Sequence, residues 1–192
     1  NLEAPKKIYK KKNKNAPKNM DLNQLSYQYF GGVDLMSIEG VSDRTVLAIM
    51  SEMGPEGFKK FKTAKQFTSW LRLAPNNKVS GGKYLSTRVG KGSSRLKTAL
   101  RQAANVLGNL KDSHLGEFFR RMAYRKGRVA AITATARKLA VIIWKMVVHG
   151  VPYTPPNPYL FRDQKRSKML RLMKKNISKP VSYTHLTLPT IP

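Results

Sequence analysis

Apolar residues recur at three- and four-residue spacing along much of this chain, which predicts helices rather than strands. The clearest stripe is Leu96, Ala99, Leu100, Ala103 and Leu107, a helix over about 95–107 that Gly108 is suited to end. A second helix starts after a cap at Ser113, carries Leu115, Phe118, Phe119 and Met122, and stops at Gly127. A third runs from about 128 to 149, ending before Gly150. Its Ala131, Ala134, Leu139, Ile142, Ile143, Met146 and Val147 predict burial on a broad face, and its alanines allow close helix approach. Earlier in the chain, Ser42-Asp43 caps a helix bearing Val46, Leu47, Ile49, Met50 and Met53, which Gly54-Pro55 closes. Thr63 caps a shorter one with Phe67, Trp70 and Leu71, stopped by Pro75. No segment shows convincing strand alternation.

Between these helices lies a different stretch. Residues 76–94 are polar and glycine-rich, with Lys78, Lys83, Arg88, Lys91 and Arg95 threaded through or beside them. A loop this long inside a compact domain is usually functional or disordered, and ordered helices on both sides favour function. The ends of the chain differ again. Residues 1–20 form a lysine-rich tail that reads as a basic linker or a phosphate-contacting arm. Val151–Pro158 is a proline-rich connector, and Asn157-Pro158 opens a basic helix through about residue 180. Residues 181–192 abruptly lose basic charge and read as a tail not native to the fold. The expected organisation is a linker over 1–20, one domain over 21–150, a connector and basic helix over 151–180, and that tail. The fold class expected is mainly α: a compact helical domain with a helix-hairpin-helix-like segment, a long Gly/Ser-rich loop and basic, flexible ends.

Composition narrows the function. Among 192 residues, Lys and Arg total 37 against 10 Asp and Glu, a formal charge of +27. A compact body this basic repels itself unless a polyanion neutralises it. The charge is spread along the chain rather than gathered on one amphipathic helix, so nucleic acid is favoured over a membrane surface. The absence of cysteine excludes disulfides and thiolate metal sites. The chain begins with Asn and shows no signal peptide, and is expected to be part of a longer protein.

The candidate chemistry is sparse. His114, His149 and His185 share no metal-ligand spacing, the carboxylates are scattered, and no Walker loop is present, so no metal site is expected in this chain. What remains is Ser80 in Val79-Ser80-Gly81-Gly82-Lys83. A serine oxygen can displace one strand end from a phosphodiester and hold DNA covalently. That step needs room, which Gly81 and Gly82 offer, and positive charge, for which Lys83, Arg88, Lys91 and Arg95 are suitable in kind. An ordinary Ser-Gly-Gly turn explains the same residues. A second candidate is Ile38-Glu39-Gly40-Val41-Ser42, which looks like a helix-hairpin-helix whose N–H groups at Gly40 and Ser42 would grip a phosphate; a plain packing turn is the alternative. Phe58, Phe61, Phe67, Trp70, Phe118, Phe119 and Trp144 read as core, and Tyr84 as the residue best placed for base stacking.

Taken in order, several of these segments resemble the C-terminal transposase domain of the insertion sequence 110 (110/116/902) family. They are Ile38-Glu39-Gly40-Val41, the run Phe61-Lys62-Thr63-Ala64-Lys65-Gln66-Phe67-Thr68-Ser69-Trp70-Leu71, Leu73-Ala74-Pro75, Ser80-Gly81-Gly82-Lys83 with Arg88 and Arg95, and Ala131–Ala140. The similarity covers roughly residues 33–150; Thr87 and Ser93 stand where family loops often have glycine. The resemblance implies a DNA recombinase in which Ser80 becomes linked to DNA. It implies that Mg²⁺ is held by an N-terminal RuvC-like domain absent from this chain, and that some members are guided by a structured RNA. It also implies a homo-oligomer acting on DNA in the bacterial cytoplasm, associated with the nucleoid. The alternatives are a non-catalytic helix-hairpin-helix module binding DNA or RNA and, more remotely, a ribosome-associated protein.

Overall fold

The computed structural model describes residues 2–5, 19–111, 113–156 and 158–177. They fall into two compact units, one running to Pro155 and one beginning at Pro156. The first contains α1 (Leu22–Tyr29), a short 3₁₀ turn (Leu35–Ser37), α2 (Asp43–Glu52), α3 (Gly54–Lys59), α4 (Ala64–Trp70), strands β1 (Lys78–Ser80) and β2 (Lys83–Ser86), α5 (Arg95–Leu107), α6 (His114–Lys126) and α7 (Arg128–His149). The second contains α8 (Pro158–Ile177), exposed at every position described from Arg166 to Ile177. Its expected cap, Asn157, lies outside the described residues, as do 6–18 and 181–192.

The fold is helical, and α7 is its spine, packing against α3, α4, α5 and α6. Its buried residues include Ala131, Ala136, Leu139, Ala140, Ile143 and Met146, a face of small and branched side chains that admits neighbours closely. Leu96, Leu100, Ala103 and Leu107 of α5 are buried in the same core, together with Leu35, Ile38, Val46, Ile49, Phe58, Phe67 and Leu73. Burying such side chains at about 1.5–3 kcal/mol each is what offsets the cost of ordering the chain.

Caps set most helix starts. Thr63 Oγ1 accepts from Gln66 N at 3.3 Å, Ser94 Oγ from Lys97 N at 3.0 Å and Ser113 Oγ from Gly116 N at 2.9 Å. Ser42 occupies the N-cap of α2 but makes no side-chain cap bond there. Gly54-Pro55 does not simply close a helix: α2 ends at Glu52 and the pair opens α3, with proline in the first turn, where its missing N–H costs nothing. α1 was not foreseen. Asp21 caps it, and residues 2–5 of the expected free tail are held on it, Ala4 N donating to Gln24 Oε1 at 2.8 Å and Gln24 Nε2 to Leu2 O at 2.7 Å.

The reading of 76–94 as an irregular loop without strands does not hold. The segment contains a short antiparallel hairpin of β1 and β2. Nor are all the aromatics core: Phe58, Phe67, Phe119 and Trp144 are, whereas Phe61 and Phe118 are half-buried and Trp70 is exposed.

A polar cluster joins the 38–41 turn, α6, α7 and the connector. Ser113 Oγ donates to Glu39, and Lys138 Nζ lies 3.4 Å from His114 Nε2. The connector's Tyr153 packs on the core, and burial together with Glu39 pushes its phenol up to about 12. Burial, reinforced by Lys138, holds the His114 imidazole below its ordinary value of 6.5. A histidine whose folded pKa is depressed stabilises the fold above its unfolded pKa and loses that contribution as pH falls. The urea midpoint is therefore expected to drop between about pH 7.5 and 5.5. The drop should shrink in His114→Gln; an equal drop in that variant would place its cause elsewhere.

Candidate nucleic-acid interface and nucleophile

The hairpin is built by its turn. Gly81 and Gly82 have φ of +54° and +73°, the paired positive values of a two-residue turn that matches strand twist. Ser80 and Lys83 face each other across this turn, Val79 pairs with Tyr84, and a bulge separates that pair from Lys78 and Ser86. Side chains alternate along a strand, so Lys78 and Ser80 share one face of β1 while Val79 takes the other. Ser80 thus stands at an exposed tip with Lys83 opposite and Lys78 two residues back. Cross-strand partners lie about 5 Å apart, which sets Lys83 beside Ser80 at the tip. Tyr84 is 68% exposed and Val79 54%, so the hairpin stands out from the core rather than packing into it.

The stalk is tied down at its base. Pro75 bridges to Val89, and Asn76 N donates to Arg88 O at 2.9 Å. The strand returning to α5 is stapled from two sides. Arg72 donates from its guanidinium to Lys91 O, and Lys97 Nζ donates to Gly92 O at 2.8 Å. Lys97 is buried, and that burial, with Arg101 and Arg72 close by, lowers its pKa from the ordinary lysine value. Arg72 adopts φ +53°, a left-handed conformation uncommon for a residue with a side chain. Neither staple is legible in the sequence, because each depends on which backbone carbonyl the fold brings near.

The remaining expected site residues are spread out. Lys91 is exposed beside the Arg72 staple, and Arg95 opens α5. Arg95 lines a groove of about 770 Å³ with Ser93, Arg44 and Glu52 of α2, and Gln102 of α5. Arg44, on the helix after the 38–41 turn, had not been singled out. Gly40 lies at the other end of α5. A β-carbon there would sit 2.6 Å from Leu107 Cγ and 3.1 Å from Ala103 O, with φ at +78°. Its turn is thus packed against α5, at least about 12 Å along that helix from Arg95. Gly40 itself packs away from the start of α5, while Arg44, four residues on, lines the groove with Arg95.

From Gly57 to Lys111 every charged side chain is Lys or Arg; there is no Asp or Glu in that stretch. Among the described residues no group of three His, Asp or Glu could hold a metal ion, and no side chain hydrogen-bonds the Ser80 hydroxyl. No described helix is long and apolar enough to cross a membrane.

Residues 34–120 match the family described as Transposase IS116/IS110/IS902. This segment of the chain is similar to transposases. The match spans the 38–41 turn, α2 to α5, the whole hairpin and most of α6. A protein of Pseudomonas aeruginosa described as "Probable family 20 transposase" is 27% identical over 126 residues, covering 63% of this chain. The chain spans 36% of that relative's length.

Proposed function

We propose that this chain is the DNA-handling part of a DNA transposase and that Ser80 is its nucleophile. The observation that carries this reading is the position of Ser80. It lies at the exposed tip of a glycine-turned hairpin between Lys78 and Lys83, inside the segment similar to transposases.

In the proposed step, Ser80 Oγ attacks a backbone phosphorus. A P–O bond forms to serine and the bond to one strand oxygen breaks, leaving a phosphoserine–DNA diester and a free strand hydroxyl. One phosphodiester replaces another, so the energy is kept and a different DNA hydroxyl can reverse the step onto a new partner. Lys78 and Lys83 would balance the negative charge that grows on the phosphoryl oxygens. The serine proton must leave to a base, and no described side chain is hydrogen-bonded to that hydroxyl to take it. The described residues likewise do not fit Mg²⁺, because their carboxylates do not cluster. In this reading the acidic set and its metal belong to a domain outside the chain, so the site is composite. A structured guide RNA, a homo-oligomeric assembly and a place on the bacterial nucleoid in the cytoplasm enter the reading through the same likeness.

Residues 1–180 alone are expected to bind DNA without cutting it. Affinity should fall by about a thousandfold between roughly 50 and 200 mM salt if about six phosphates are neutralised. Gel-shift titrations and a Mg²⁺ cleavage assay on a transposon end check both parts. Cutting by this fragment unaided would contradict the composite site.

A further inference from the structure

Trp70 ends α4, and its ring is held from within. It lies nearly parallel to Phe67, at 16° with centroids 6.3 Å apart, and against Phe61 at 5.6 Å. Phe67 is buried and in turn meets Phe58 at 5.3 Å, so the support reaches into the core. Yet 49% of Trp70 faces solvent. A single exposed apolar side chain is ordinary on a protein surface. This one differs in being a large ring packed on two other aromatic rings, in a stretch of chain whose charged residues are all basic.

Lys62 adjoins Phe61, and its N–H donates to Gln66 Oε1 at 2.9 Å, one turn before Trp70 on α4. Lys60, Lys62, Lys65 and Arg72 are all exposed, and no acidic residue lies between Gly57 and Lys111. A polyanion that also presents flat π-faces satisfies both features. Duplex DNA has the charge, but its base faces are covered by stacked neighbours. An unpaired strand offers both. Arg72, two residues after Trp70, donates to Lys91 O on the segment that follows the hairpin, so the end of α4 is tied to the chain that carries Ser80.

We propose that Trp70, backed by Phe67 and Phe61, is a stacking platform for an unpaired base of single-stranded DNA, whose phosphates the neighbouring lysines contact. The proposal rests on the reading that this chain handles nucleic acid, and not on the role of Ser80.

The chain's two tryptophans make the test direct, because Trp144 is only 6% exposed and serves as a silent internal reference. An end-labelled oligothymidine of about 12 nucleotides is titrated into the 192-residue chain, reading label anisotropy and tryptophan emission together. Emission is expected to fall in step with binding. Trp70→Leu, which keeps apolar cover over Phe67, should abolish the change and weaken single-strand affinity about tenfold while duplex affinity holds. Trp70→Tyr, which keeps a π-face, should recover affinity to within about threefold. Thermal melts identify a variant that fails to fold, and Trp70→Tyr then carries the comparison. Binding with unchanged emission overturns the platform and leaves the nucleic-acid reading intact. Quenching that persists in Trp70→Leu, equal loss for single strand and duplex, or quenching only by RNA or an acidic peptide also overturns it. No binding to any nucleic acid overturns both.

Discussion

If the proposed function holds, Ser80→Ala in the full-length protein is expected to eliminate covalent protein–DNA adducts, a loss of about 10⁴-fold or more. Salt-dependent DNA binding should stay nearly unchanged. The change removes one exposed hydroxyl at a hairpin tip whose conformation is set by Gly81 and Gly82, so stability should hardly move. This separation distinguishes a nucleophile from a turn residue that supports binding. Denaturing gels on a labelled transposon end count the adducts, and anisotropy follows binding. Ser80→Cys is an informative companion, since a thiolate keeps a nucleophile at the same place but forms a different ester. Adducts that persist in Ser80→Ala would assign the chemistry to another group.

A large stability effect is expected at Gly40. A methyl group there meets Leu107 Cγ at 2.6 Å and the Ala103 carbonyl at 3.1 Å, and the backbone holds φ +78°. Left-handed strain and overpacking together should cost Gly40→Ala roughly 2–4 kcal/mol. Leu107 can shift, but the Ala103 carbonyl belongs to α5 and cannot move without it. If the glycine instead served a phosphate contact, the same change would leave stability alone and weaken DNA binding. Chemical denaturation and a binding titration on one preparation distinguish these outcomes.

The main helices were legible because their signals are local. α5, α6 and α7 combine a regular apolar stripe with an end marker, such as Ser113 before α6 or Gly150 after α7. α3 was missed because Gly54-Pro55 is a common stop, and here it serves as a start. The hairpin was missed for a physical reason. Its strands are three and four residues long and face solvent, so no alternation of buried and exposed positions is written into them. The Gly-Gly turn was visible, but a two-residue turn predicts a hairpin only when flanked by strand signals.

The site was legible in part. Ser80 and Lys83 pair across the Gly81-Gly82 turn, and Lys78 lies two residues back on the same strand. Arg88 lies at the base of the hairpin and Arg95 at the start of α5, whereas Gly40 packs against the far end of α5. Trp70 was read as core and is half exposed, because helical spacing alone cannot tell a ring that enters the core from one that rests on it.

The proposed mechanism requires a covalent bond between Ser80 Oγ and DNA. The decisive measurement is mass spectrometry of the full-length protein trapped on a candidate transposon end, after nuclease trimming and proteolysis. A nucleotide esterified to Ser80, in the peptide spanning the hairpin turn, is the expected result. A nucleotide on Ser93, Ser94 or Tyr84, or cleavage that leaves no residue modified, would contradict it.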